Sequence, residues 1–114
     1  MTKTIFEKII LREIPANIHY EDDEVIVIDD INPTAPIHLL IIPKKKIETL
    51  NDLTEGDTKL VGKLFQVAKN MASKFGIDKS GYRAIFNCNE DGGQTVYHIH
   101  LHLLGGRSFS WPPG

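Results

Sequence analysis

Apolar residues follow two rhythms along this chain. Near the start, Ile5, Phe6, Ile9 and Ile10 recur three and four residues apart until Pro15 ends the run, which predicts a short amphipathic helix over residues 4 to 13. The same rhythm returns in Leu60, Leu64, Val67, Ala68, Met71 and Phe75, behind a capping-box variant in which Asp57 follows Thr54 by three residues, and Gly76 supplies the C′ stop. The rest reads as extended chain. Residues 18 to 20 and 24 to 29 flank an acidic turn and predict a hairpin, and the proline-bearing loop 30 to 36 leads into a further strand, 38 to 42, closed by Pro43. Residues 82 to 87 and 97 to 104 read as two more strands around the turn 89 to 94. About five strands, mostly hairpin-connected, and two helices make an antiparallel α+β domain spanning residues 1 to 114, with the helices expected on one face of the sheet.

Composition narrows the class. Of 114 residues, 41% are apolar and 25% charged, enough for one ordinary core, and 13 basic against 15 acidic side chains give no general attraction to nucleic acid or anionic membranes. Any phosphate must therefore be held by a local site. The single cysteine, Cys88, excludes an internal disulfide and a thiolate-rich zinc site and fits a reducing compartment. With no signal-peptide h-region and a longest apolar run of only IHLLII, a cytoplasmic location away from membranes is the expectation.

The chemistry concentrates in 97-YHIHLHLLGG-106, where three of the five histidines stand at every second position. On a strand, His98, His100 and His102 share one face and Ile99, Leu101 and Leu103 the other. Three uses suit such a row. A zinc site is one, but His98 and His102 would lie about 13 Å apart at a rise of about 3.3 Å per residue, so one straight strand supplies two ligands better than three. Ordinary solvated strand residues are the second. Nucleophilic catalysis at phosphorus is the third: neutral imidazole attacks activated phosphorus near pH 7, and the resulting phosphoramidate is labile enough for water to cleave. That use also needs a partner for the second ring nitrogen, donors for phosphate oxygens and an acid for the leaving group. Backbone carbonyls, His98, His102, the amides of the Gly92–Gly93 turn and the Thr95 hydroxyl are candidates.

The segment His98-Ile99-His100-Leu101-His102-Leu103-Leu104 resembles the signature of the histidine-triad (HIT) superfamily of nucleotide-binding proteins. The stretches IFEKII, EDDEVIVIDDINPTAPIH, IPKK, DGGQTVYHIHLHLLGGR and WPPG are similar to its Hint branch, so the likeness covers residues 4 to 114. It implies an α+β fold with a five-stranded antiparallel sheet and two helices, the sheet continued across a homodimer two-fold. It also implies hydrolysis of purine nucleoside 5′-phosphoramidates and related adenylates, without metal or other cofactor. By the resemblance His100 is the nucleophile, His98, His102 and His38 support it and the phosphate, and Thr95 serves the leaving group. Asp30 receives the ribose hydroxyls, which a carboxylate accepts well. Ile5, Phe6, Ile9 and Ile31 form the apolar wall around the base, and Asn87, Gly93, Gln94 and Thr95 the phosphate edge. Trp111 reaches toward the partner's site.

The alternatives are a plain core role for the apolar four, an ordinary hairpin loop for the phosphate edge, and simple turn formation for Gly105 and Gly106. Two positions depart from the pattern: Lys46 stands where many relatives carry histidine, and Thr95 where serine is common. Dinucleoside polyphosphate hydrolysis is the nearest enzymatic rival. A nucleotide- or partner-binding protein with little catalysis is the reading from another class.

Overall fold

A computed structural model describes residues 2 to 114. It contains helix α1 (Ile5–Ile10), strands β1 (Ile18–Glu21), β2 (Val25–Asp29) and β3 (Ile37–Pro43), helix α2 (Thr58–Lys74), and strands β4 (Tyr82–Ile85) and β5 (Leu101–Gly105). The strands form one antiparallel sheet in the order β1-β2-β3-β5-β4. The expected α+β architecture is the one observed.

Local chemistry sets the helix ends. Thr4 and Glu7 close a reciprocal capping box at the start of α1, with Thr4 N–H to Glu7 Oε1 at 2.9 Å and Glu7 N–H to Thr4 Oγ1 at 3.2 Å. Asp57 accepts from the backbone and hydroxyl of Thr54 as expected, but these bonds close a 3-10 turn, and α2 begins one residue later. Gly76, at φ +70°, ends α2, and the Ile77 amide returns to the Ala72 carbonyl.

The helices lie on opposite faces of the sheet, which corrects the one-face expectation. Val25, Val27, Leu39, Ile41, Leu101 and Leu103 pack against Leu64, Val67, Ala68, Met71 and Ala72 of α2. The alternate residues Ile26, Ile28, Leu40 and Ile42 pack against Phe6 and Ile9 of α1. The physical reason was visible in the runs VIVI and LLII: continuous apolar strands are buried on both sides, whereas one-sided strands alternate.

Both C-terminal strands are shorter than their patterns predict, β4 ending at Ile85 and β5 beginning only at Leu101. Of the three clustered histidines, only His102 belongs to a regular strand. Residues 98 to 100 instead follow the chain beyond β3, with the Ile99 amide bonded to the Ile47 carbonyl at 2.8 Å. Among the described residues, no helix is long and apolar enough to cross a membrane.

Candidate active site

Cross-strand register brings the histidines to the α1 face. His38 pairs with Leu104, and Leu40 with His102, so His38 and His102 project from adjacent central strands on the side opposite α2. α1 closes the same side, with the edge of Phe6 against His100 at 4.9 Å between ring centroids and against His98 at 5.9 Å.

Hydrogen-bond partners assign each ring's proton. The His98 Nε2–H donates to the Pro43 carbonyl (2.6 Å) and the His100 Nδ1–H to the His98 carbonyl (2.8 Å), because a carbonyl can only accept. His100 therefore keeps its unshared pair on Nε2. The Thr34 backbone N–H donates to His38 Nδ1 (3.1 Å), which leaves the His38 proton on Nε2; this atom lies 2.9 Å from His102 Nδ1 and 3.3 Å from Asp30 Oδ2. His102 Nδ1 must accept there, so its proton sits on Nε2. Among the described residues that buried N–H has no acceptor, and the buried His98 Nδ1 has no donor. Such orphaned polar atoms are costly unless something satisfies them, and a ligand oxygen at His102 is one solution.

Burial keeps the rings neutral. Desolvation lowers the pKa of His38, His98 and His100, partly offset by Asp30 at His38 and by backbone hydrogen bonds and nearby carboxylates at the other two. His102 is pushed down to about 4, first by desolvation and then by the neighbouring His100 and His38. At neutral pH the cluster thus offers one nucleophilic nitrogen at His100 and one uncompensated N–H donor at His102.

A cleft with two lobes opens beside this cluster. The narrower, about 200 Å³, is walled by Ile5, Phe6, Ile9, Ile28, Ile31, Leu40 and Val96 and floored by His100 and His102. The wider, about 820 Å³, runs along His38, Ile85, Asn87, Leu104 and Thr34. Asp30, Asn32, Thr95 and His102 line both lobes and mark their junction. A flat apolar group fits the first lobe, an acceptor of hydroxyls stands at its mouth, and the imidazoles stand where the lobes meet.

Could the cluster hold a metal? Asp30, His38 and His102 each offer a ligand atom within 4.8 Å of the others. A metal-bound imidazole nitrogen must be unprotonated, and the Thr34 amide already occupies the unshared pair on His38 Nδ1. Metal at Nε2 would require an imidazolate or the loss of that bond, so this donor set does not fit a resident ion.

The expected residues do not all converge. His38, His100, His102, Asp30, Ile31, Thr95, Asn87, Ile5, Phe6 and Ile9 line the cleft. His98 is fully buried behind it and anchors the segment before β5. Gln94 is also buried, its carboxamide accepting from the Asn89 amide (2.9 Å) and donating to the carbonyls of Glu48 (2.7 Å) and Val96 (3.1 Å). Gly93, at φ +82°, shapes the turn, and Trp111 is 82% exposed and does not line the cleft of its own chain, although Pro113 and Gly114 after it line the wider lobe. Residues 105 and 106 differ in kind: Gly106 has φ +90°, whereas a side chain at Gly105 would meet Ile77 at 2.5 Å, so only the former is a turn requirement. The Thr34 amide and the Pro43 carbonyl were not anticipated, because backbone groups leave no residue-type signal. Asn32 was, in principle, legible inside the loop DINPTAP.

Comparison with known proteins identifies the family and supports the fold. Residues 3–110 match the family model described as scavenger mRNA decapping enzyme C-term binding. The chain is 52% identical over 105 residues to the purine nucleoside phosphoramidase of Escherichia coli K12, covering 92% of this chain and 88% of that protein. It is also 52% identical over 111 residues to an uncharacterized HIT-like protein of Synechocystis, covering 97% of this chain and 96% of the relative. A crystal structure of a HIT family hydrolase from Legionella pneumophila superposes with a TM-score of 0.96 at 51% identity, covering 98% of this chain and all of the other.

Proposed function

Since the chain belongs to the histidine-triad family, we propose that it hydrolyses purine nucleoside 5′-phosphoramidates and related adenylates through a nucleotidyl-histidine intermediate on His100. The observation that carries this reading is the proton assignment: His100 is held with Nδ1–H on the His98 carbonyl and its nucleophilic pair on Nε2, beside a His102 N–H that lacks an acceptor. The 52% identity to a phosphoramidase of E. coli supports the substrate class.

In the first step the His100 Nε2 pair forms a bond to phosphorus while the P–N bond breaks. The departing nitrogen takes a proton through the Thr95 hydroxyl or the His102 Nε2–H at the lobe junction, and solvent replaces it in the same step so that neither group is left as an anion. The positive charge that develops on the His100 ring is stabilised by the carbonyl of His98. Water then attacks phosphorus, the P–Nε2 pair returns to the imidazole, and the proton lost by that water passes to solvent, balancing the one taken up in the first step. The products are amine and nucleoside monophosphate. The base lies in the apolar lobe between α1 and Ile31, with the ribose hydroxyls on Asp30. His98 supports His100 from behind, and Gln94 and Gly93 hold the Thr95 edge in place. The protein works as a cytoplasmic homodimer that joins sheets through the outer edge of β4, whose far side has no strand partner among the described residues, with Trp111 meeting the other subunit.

Rapid quenching with an adenosine phosphoramidate and mass spectrometry should find one nucleotide on His100. His100→Ala should lose on the order of 10³-fold or more in kcat with its thermal transition unchanged. Turnover retained by this variant would overturn the assignment.

A further inference from the structure

The wider lobe does not end at Leu104. Along β4 the register sets Arg83 opposite Leu104, which is itself opposite His38, so Arg83 projects from the same sheet face as the histidines. Just beyond lies a second cleft of about 520 Å³, lined by Tyr82, Arg83, Gly106, Arg107 and Phe109. The two clefts adjoin through consecutive residues of β4 and through Thr34, which lines the first and whose carbonyl accepts from Arg107 Nε (3.0 Å).

Two guanidinium groups converge in this second cleft. Arg107 lies over the Phe109 ring at 4.2 Å from its centroid and Arg83 over the same ring at 5.3 Å. Their hydrogen bonds go to the backbone carbonyls of Thr34, Ser108 and Ser110, and among the described residues neither forms an ion pair. A carbonyl orients a guanidinium without neutralising it. Two cations are thus held close together on one ring with donors to spare, an arrangement that suits an oxyanion.

We infer that Arg83 and Arg107 form a site for a carboxylate or phosphate carried by the leaving group of the substrate. The inference rests on the phosphoramidate reading above. Arg83 is one strand over and two residues along from His102, so their Cα atoms stand about 8 Å apart at ordinary sheet spacings. The anion must then sit about five methylenes from the departing nitrogen, as in an ω-aminocarboxylate. Dimer formation through the β4 edge uses backbone groups and leaves the sheet face, where Arg83 projects, available to ligand.

The test compares the adenosine phosphoramidates of 6-aminohexanoate and of hexylamine, which differ only in the terminal charge. With wild type, kcat/KM should favour the carboxylate by about five- to tenfold at low salt, the scale of a half-exposed charge-assisted pair. The preference should fall toward unity in Arg83→Gln and in Arg107→Gln, and recover in part in the corresponding lysine variants. Because both substrates are read on one sample, the ratio is independent of how much of a variant is folded. A ratio near one in wild type, with both compounds turned over, overturns this site and leaves the phosphoramidate reading intact. Failure to turn over either compound overturns both. If Arg83→Gln changes the molar mass in solution and leaves the ratio alone, the guanidinium serves a second copy of the chain and the inference is wrong.

Discussion

Replacing Gln94 by methionine separates two roles for a side chain that the sequence pattern placed on the phosphate edge. The substitution keeps an unbranched chain of similar length and removes only the carboxamide. In the folded protein that carboxamide joins three backbone groups, the Asn89 N–H and the carbonyls of Glu48 and Val96, and thereby ties the loop after β3 to the loop that leads to His98. At about 1 kcal/mol net per bond, and with all three partners left in a part-buried setting, the loss is about 3 kcal/mol. For a chain of this length that lowers Tm by about 12 °C. Thermal unfolding followed by circular dichroism, with steady-state kinetics below the transition, distinguishes the roles. The expected outcome is a large fall in Tm with a modest rise in KM through the neighbouring Thr95. A Tm within about 3 °C of wild type together with a tenfold rise in KM would show that the carboxamide holds ligand, and the structural assignment would fail.

Two further outcomes follow from the site and the sheet. The buried imidazoles titrate below their unfolded value of 6.5, so the unfolded chain binds more protons; stability is whole above about pH 6.5 and is lost as pH falls from there toward 4. For His102 the gap corresponds to about 3 kcal/mol, reduced to about 2 by solvent access to a part-buried ring, and a urea midpoint that stays constant from pH 7.5 to about 5 would contradict the assignment. For the dimer, light scattering at micromolar concentration should give twice the chain mass, and Tyr82→Pro, which places a proline on the β4 edge, should shift it toward monomer; a monomeric wild type refutes the shared sheet.

The fold was legible wherever the apolar pattern was long and unambiguous. The α2 stripe from Leu60 to Phe75, its Gly76 stop and the hairpin of β1 and β2 all appear where the pattern put them. The side of the sheet that α1 covers was equally present in the double-sided burial of VIVI and LLII, a signal easily outweighed by the habit of giving a sheet one wet face. The histidine row was less transparent. Period two correctly separates the three imidazoles from Ile99, Leu101 and Leu103, yet it says nothing of where pairing begins, and the ladder takes hold only at Leu101. Roles that depend on backbone partners, such as the Pro43 carbonyl at His98 and the Thr34 amide at His38, are set by tertiary contact over 55 residues in one case and by a four-residue turn in the other. Gln94 shows the same limit: residue type declared a polar group, and only packing decided that it faces inward.

The strand order has a consequence for how the molecule comes into being. β5 is the last strand in the chain but lies inside the sheet, hydrogen-bonded to β3 on one side and β4 on the other. As the chain leaves the ribosome, β3 therefore keeps a bare edge, and β4 has nothing to pair with, until β5 emerges. The same segment carries His100 and His102. Assembly of the sheet and arrival of the chemical groups are one event, joined by contacts some sixty residues apart in sequence, so no nascent chain that lacks β5 has a cleft in which to bind or react.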